Sequence, residues 1–478
     1  MRRTKILATV GPATSTPGKL VALIKAGADA LRLNFSHGTD DDHRATLELM
    51  HQAARQAGRE VAIVADVPGP KMRIRTLAAG EARLASAQRW KLDTSASPGD
   101  EHRVGLEVPS FKALAKVGDP VLLGDGSIEL VVTEVGATSI DTRVVSGGVV
   151  RSQAGVYFPR ARLRTSAFER ADRKAAEIAI EGGIDFLALS FVRDSVDLAT
   201  ARRWLDDRPG GSAVGLIAKI ERAEALAAID GILHDSDGIM VARGDLGIEV
   251  PLERLAIEQK RLIHLANAQG RFVIVATQML LSMVDSPRPT RAEATDVANA
   301  VLDGTDAVML SEESAVGHFP IESVQWLDRI TAATEVTFSP RSTRERIRTA
   351  QAGQPTSMQQ SVASAAVSLA ESVGARAIVT PTHSGHTARL VASLRPSCPV
   401  VAFSRLAQTR RRLALVRGVQ AYPSVTHARL PDLRRQAVEI VDALEIPGEG
   451  PVVLTAGFPV EGRPTNLVTL VEDKEFSR

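Results

Sequence analysis

The sequence predicts an α/β fold: a (β/α)8 TIM barrel with an inserted small β-barrel lid domain and a C-terminal open α/β domain. Three observations predict it. Short apolar, β-rich runs recur eight times with helical stretches between them, and continuous rather than alternating apolarity marks strands covered on both faces. The runs close on polar or charged residues, and a barrel of this kind builds its active site at the C-terminal ends of its strands. The even spacing of the runs fails once, between the third and the fourth, where more than a hundred residues intervene.

In order, the runs are "KILATVGP" from Lys5, "ADALRLNFSH" from Ala28, "VAIVADV" from Val61, "IDFLALSFV" from Ile184, "AVGLIAKIE" from Ala213, "GIMVARGD" from Gly238, "FVIVATQM" from Phe272 and "AVMLSEES" from Ala307. Segments such as "GKLVALIKAGA" and "ERLAIEQKRLIHLANAQG" supply the crossover helices. The interruption contains "GDPVLLGDGSIELVVTEVGATSIDTRVVSGGVV", where β-branched residues alternate between Gly-Asp turns as in a small all-β domain. Placed after the third strand, it would cover the barrel mouth as a lid. After the eighth run, the polar stretch 337–358 reads as a linker, and helix and strand patterns then alternate again, as in "ASAAVSLAESVGARAIVTPTHSG" and "GPVVLTAGF". The boundaries follow: 1–69 and 159–337 for the barrel, 70–158 for the lid, 338–478 for the last domain.

With 478 residues, 58 basic against 56 acidic and a formal net charge of +2, mixed along the chain, the composition gives no reason to expect nucleic acid or an anionic membrane as partner. A single cysteine, Cys398, excludes an internal disulfide framework and suits a reducing compartment. No apolar run reaches the roughly 18 residues of a membrane span, and the apolar stretch in "MRRTKILATVGP" is too short for a signal peptide. The expectation is a cytoplasmic protein.

The most specific chemistry lies in "GLIAKIERAE" and "GIMVARGDLGIEVP". Lys219 and Glu221 stand two apart at one strand end, so both side chains point the same way, and Asp245 is expected to end the neighbouring strand. Two hard carboxylates from adjacent strands suit Mg²⁺, which fills its remaining positions with water and substrate oxygens. A lysine beside that ion is placed to neutralise a transferring phosphoryl group or a developing enolate. A rim ion pair is the plain alternative. "LRLNFSHG" sends Arg32, Asn34 and Ser36 to one side as phosphate-binding types, with His37 following. Thr277 puts a hydroxyl at the seventh strand end, and Asp66 a carboxylate at the third. "GPATSTPGKL" fails as a phosphate loop, because its glycines are misspaced and Lys19 precedes leucine.

Together with "TKILATVGPAT", "DVPGPKMR", "VATQMLLSM", "PTRAEATDVANAVLDGTDAVMLSEESAVGHFP" and "TPTHSGHTARLVASLRP", these stretches resemble the pyruvate kinase family along essentially the whole chain. The resemblance implies phosphoryl transfer from phosphoenolpyruvate to ADP, giving pyruvate and ATP, in a homotetramer. It implies Mg²⁺, or Mn²⁺ in its place, on Glu221 and Asp245. Lys219 and Arg32 would meet the phosphoryl group, and Thr277 with the backbone of Gly244 and Asp245 the substrate carboxylate. Thr277 also matches the place where the enolate takes up its proton. Pro12, Asn34, His37 and Arg73 match nucleotide-side positions, and Thr382, Ser384, Gly385 and Thr387 match a loop that binds effector phosphate in regulated members.

The chain also departs from the family. Members that need K⁺ hold it through residues matching Asn34, Ser36 and Asp66 together with a threonine, where this chain has Val67, and they carry a glutamate where it has Lys71. The resemblance therefore implies an internal ammonium in place of K⁺, which would not be required. Arg170-Ala171 stands where many members have a lysine before Asp172, and "GVYFPR", ending at Arg160, replaces "GVNLPG". Two rival readings share part of the site: a catalytically weak, metabolite-sensing paralogue, and a metal-dependent lyase acting through a pyruvate enolate.

Overall fold

A computed structural model describes residues 2–108, 110–124, 126–159, 166–351, 357–424, 430–457 and 465–472. All eight expected runs form strands: Lys5–Val10, Ala30–Asn34, Ala62–Val67, Phe186–Leu189, Gly215–Ile220, Gly238–Ala242, Phe272–Ala276 and Ala307–Leu310. They pair in parallel in sequence order, and the eighth closes on the first with Lys5 opposite Ala307, giving a closed barrel. Every residue of these strands is buried except Asn34, because side chains on one face fill the barrel and those on the other meet the helices. Leu7, Val64, Met240 and Met309 pack inside, and Leu415 of the last domain joins this same cluster. Helices such as Asp40–Ala57, with a reciprocal Thr39–Asp42 capping box, form the outer layer.

The base of the barrel carries a repeat that escaped the sequence reading. Ahead of the second, fourth, sixth and eighth strands stands an aspartate whose carboxylate accepts the N–H of the preceding strand. The pairs are Asp29 with Ile6 (3.0 Å), Asp185 with Ile63 (2.9 Å), Asp237 with Leu216 (3.0 Å) and Asp306 with Val273 (3.1 Å). Each carboxylate also meets arginine. Arg2 and Arg59 serve Asp29, whereas the other three take theirs from the last domain: Arg411 on Asp185 (3.0 Å), Arg412 on Asp237 (2.6 Å) and Arg395 on Asp306 (2.8 Å). The motif "GAD", "GID", "SD", "GTD" ahead of alternate strands was the available signal.

The insertion folds as a six-stranded sheet and a two-stranded ribbon around its own core, centred on Trp90, Leu92, Phe111 and Leu130. It joins the barrel through a two-stranded stem, in which Ile74 N–H bonds Ala154 and Val156 N–H bonds Met72, both at 3.0 Å. Gly69, with φ +65°, turns the chain from the third strand into that stem, and its N–H is held by Asp172 at 2.9 Å.

The last domain is a five-stranded sheet, parallel except for Leu467–Val471 at one edge. The linker expected at 337–358 is corrected. A helix, Pro340–Gln351, occupies most of it, with Thr343 and Ile347, four residues apart, buried on one face, while 352–356 lie outside the described residues.

Candidate active site

At the C-terminal mouth of the barrel, the ends of the second, third, fourth and fifth strands bring their charges into one buried network. Lys219 Nζ donates to Ser190 Oγ at 2.7 Å and Asp66 Oδ1 at 3.0 Å, and lies 3.1 Å from Glu221 Oε1. Arg32 Nε grips the other oxygen of Asp66 at 2.7 Å, and its Nη1 reaches Thr9 Oγ1 at 3.0 Å. Glu221 Oε2 accepts the backbone N–H of Phe191 at 2.7 Å. Asp66 therefore serves two cations and fixes their separation. Burial alone would push the Asp66 carboxyl up, but Arg32 and Lys219 hold it below the usual carboxylate range. Burial likewise works against the Lys219 ammonium, and Asp66 and Glu221 more than offset it, so this lysine stays charged.

Asp245 is corrected in its placement. The sixth strand stops at Ala242, and Asp245 sits in the first turn of a short helix, Arg243–Glu249. Its Oδ1 accepts from Lys71 Nζ at 2.9 Å and from Tyr157 Oη at 2.5 Å. Burial, with the nearby charge of Asp245, raises the Glu221 carboxyl; burial would also raise Asp245, but Lys71 and Tyr157 bring it down. Glu221 and Asp245 are close enough to perturb each other, while the third carboxylate of the network, Asp66, is taken by Arg32 and Lys219. A pair of this kind fits a hard divalent cation that takes two protein oxygens and completes its shell from water and substrate.

Thr277 and Gln278 take the left-handed conformation, with φ of +70° and +55°. For a β-branched residue this is uncommon and costs on the order of 1–3 kcal/mol, so the surroundings must enforce it. Arg243 does so: its Nη2 donates to Thr277 O at 2.8 Å while Asp296 holds its other nitrogen at 2.6 Å. Thr277 Oγ1 accepts the Gly244 N–H at 2.9 Å, which brings Thr277, Gly244 and Asp245 to one corner. Arg243, Ser190, Tyr157 and Thr9 had no assigned role in the sequence reading. Arg243 lies inside the quoted "VARGD", and only its depth beneath the site separates it from a surface arginine.

The remaining candidates are more open. Asn34 Oδ1 accepts the Ser36 N–H at 3.1 Å and so shapes its own turn. Pro12 and His37 are exposed, and Arg73 is exposed on the lid stem with Nη1 on Gln153 O at 3.0 Å. The ion pair of Lys71 is with Asp245, whereas Asp66 is taken by Arg32 and Lys219. Asp172, beside Arg170 and Ala171, caps the helix Arg170–Glu181 and holds the Gly69 hinge, while Arg160 lies outside the described residues. In the last domain Thr382 Oγ1 accepts the Gly385 N–H at 2.9 Å, Thr387 Oγ1 meets Thr465 Oγ1 at 2.5 Å, and Ser384 is exposed.

Two family models match this chain: the pyruvate kinase barrel domain over residues 1–324 and the pyruvate kinase alpha/beta domain over 360–471. The chain belongs to the pyruvate kinase family. A pyruvate kinase of Agrobacterium vitis is 41% identical over 475 residues, spanning 98% of each chain. One of Sporosarcina psychrophila is 40% identical over 474 residues, spanning 98% of this chain and 80% of the relative. Among solved structures, a pyruvate kinase from Cryptosporidium parvum superposes with a TM-score of 0.91 at 33% identity, covering 98% of this chain and 96% of its own. The three-part architecture expected of a pyruvate kinase is thus present. No helix among the described residues is long and apolar enough to cross a membrane.

Proposed function

We propose that this chain transfers the phosphoryl group of phosphoenolpyruvate to ADP, with Mg²⁺ on Glu221 and Asp245, and releases pyruvate after protonation of the enolate. The observation that carries the reading is the buried network in which Asp66 holds Arg32 and Lys219 side by side, next to Glu221. In the transfer, the P–O bond to the enol oxygen breaks, a bond to the terminal phosphate oxygen of ADP forms, and negative charge is left on the enolate. Such a reaction needs cations and alignment more than covalent help. Mg²⁺ supplies charge neutralisation at the phosphoryl oxygens. Arg32 and Lys219 face the same group, and Lys219 also meets the enolate oxygen. The corner of Thr277, Gly244 and Asp245 receives the substrate carboxylate, with the Thr277 hydroxyl where the enolate carbon is protonated. Pro12, Asn34, His37 and Arg73 line the nucleotide side.

Pyruvate formation from phosphoenolpyruvate and ADP in a coupled assay, dependent on Mg²⁺ or Mn²⁺, is the direct test. No turnover would move the chain to the weak-paralogue reading. Glu221→Gln is expected to raise the Mg²⁺ concentration for half-maximal rate by roughly tenfold or more, because a ligand oxygen loses its charge. An unchanged requirement would remove Glu221 from the metal.

The K⁺ site is replaced, on this reading, by the chain's own charge: Lys71 brings an ammonium to the mouth, and Val67 offers no side-chain oxygen. Rates with Na⁺ or a bulky organic cation as the only monovalent ion are expected to lie within about twofold of those with K⁺, since a resident ammonium already supplies the charge. Strong activation by K⁺ would defeat this. A homotetramer in the cytoplasm, with a phosphorylated effector on the 382–387 loop, completes the proposal.

A further inference from the structure

We propose that Tyr157 is a positioning residue that aims the Asp245 carboxylate and ties the posture of the lid to the metal site. The inference rests on the reading of Glu221 and Asp245 as metal ligands. Its starting point is the lid stem, where Arg73 pairs antiparallel with Gly155, so that Lys71 and Tyr157 stand opposite each other across the two strands. Both reach out of the stem to the same atom, Asp245 Oδ1, at 2.9 and 2.5 Å. The Lys71 ammonium also lies 5.2 Å from the centre of the Tyr157 ring and 5.9 Å from that of Phe191, close enough for a cation–π contribution.

The stem is shaped for this arrangement. A β-carbon on Gly155 would come within 3.2 Å of both Lys71 Cε and Tyr157 Cε2, and within 3.4 Å of the phenol oxygen. A side chain at this position would make both Lys71 and Tyr157 give way by a few tenths of an ångström. Tyr157 is itself 7% exposed, so its hydroxyl is committed to the barrel rather than to solvent.

Two donors on Oδ1 leave Oδ2 as the oxygen for a cation shared with Glu221. A carboxylate free to rotate about its Cβ–Cγ bond must be ordered each time the ion arrives, whereas this one is already oriented. Outer-shell donors of this kind typically change metal affinity by about 10–100-fold. Because the donor sits on the lid, the orienting bond exists only in the posture in which the stem lies against the helix Arg243–Glu249. Lid and metal therefore favour each other reciprocally.

The test uses Mn²⁺ alone as the probe, titrated into the full chain and followed by electron paramagnetic resonance. Tyr157→Phe keeps the ring and removes the donor. It is expected to weaken Mn²⁺ binding roughly tenfold and to raise the metal concentration for half-maximal rate in step, with kcat at saturating metal changed far less. Gly155→Ala, which pushes both stem side chains aside, should act in the same direction. In the parent chain Mn²⁺ should slow amide hydrogen exchange at Ile74 and Val156, and in Tyr157→Phe this protection should be lost. Mn²⁺ affinity within twofold of the parent in Tyr157→Phe, while Glu221→Gln weakens it, would overturn the role of Tyr157 and leave the metal site standing. If Glu221→Gln also leaves Mn²⁺ binding unchanged, the metal reading falls and the proposal with it.

Discussion

Lys219→Met lowers turnover by roughly 10³-fold, about 4 kcal/mol in activation free energy, while Mn²⁺ affinity changes far less. That is the expected result of removing a cation whose interaction strengthens as charge develops on the phosphoryl and enolate oxygens. The structure shows why the fold should tolerate it. Asp66 keeps Arg32 at 2.7 Å, and Glu221, though it loses its paired cation, keeps the Phe191 N–H at 2.7 Å. Methionine also fills a similar volume. The measurement is kcat at saturating phosphoenolpyruvate, ADP and Mg²⁺, alongside Mn²⁺ titration of the same preparation. Turnover within tenfold of the parent would remove Lys219 from the chemistry.

The second large effect is on cohesion. Arg395 and Asp306 are 1% and 2% exposed in their side chains and form a two-pronged pair at 2.8 and 3.1 Å. Arg395 Nη2 also donates to Asn267 Oδ1 at 2.5 Å and Gly304 O at 2.7 Å, and Asp306 accepts from Arg417 N at 3.0 Å. Arg395→Met strips Asp306 of its direct ion pair, leaving it buried on the backbone N–H groups of Val273 and Arg417 with only the more distant charge of Arg417. Breaking one side of a buried pair typically costs about 3–5 kcal/mol. The expected outcome is a markedly lower denaturant midpoint, with the last domain separating before the barrel melts. Removing both charges at once, in Arg395→Met with Asp306→Asn, should cost less than the single change. Equal midpoints for parent and Arg395→Met would show that the pair contributes nothing to holding the domains together.

The legible parts of the sequence were those written in local pattern. Eight continuous apolar runs named the barrel strands, and polar residues at their ends named Arg32, Asp66, Lys219 and Glu221, because a strand end is both a local feature and the place where chemistry is built. Asp245 was read one turn out of place. "GIMVARGD" continues the strand pattern, and nothing in it says that the backbone enters a helix after Ala242. The polar stretch 340–351 reads as a linker because, among its described side chains, the helix buries just Thr343 and Ile347. Tyr157 in "GVYFPR", Arg243 in "VARGD" and Ser190 at a strand end all stand in conspicuous stretches, but nothing local names what they touch. Their roles come from partners 88, 34 and 29 residues away in sequence, which only the closed barrel brings within reach.

The arginines at the base of the barrel bear on how such an enzyme can be rearranged over time. Asp185, Asp237 and Asp306 obtain counter-charge from the last domain, and Leu415 of that domain closes the barrel interior from below. A catalytic core cut off before the last domain would keep its chemistry intact on paper yet present three acids and an open apolar plug hole at its foot. The domain is therefore not a detachable cassette. A replacement module would have to arrive with its arginines already spaced to match alternate strands, so exchange with unrelated regulatory units is barred by charge register before any question of signalling arises.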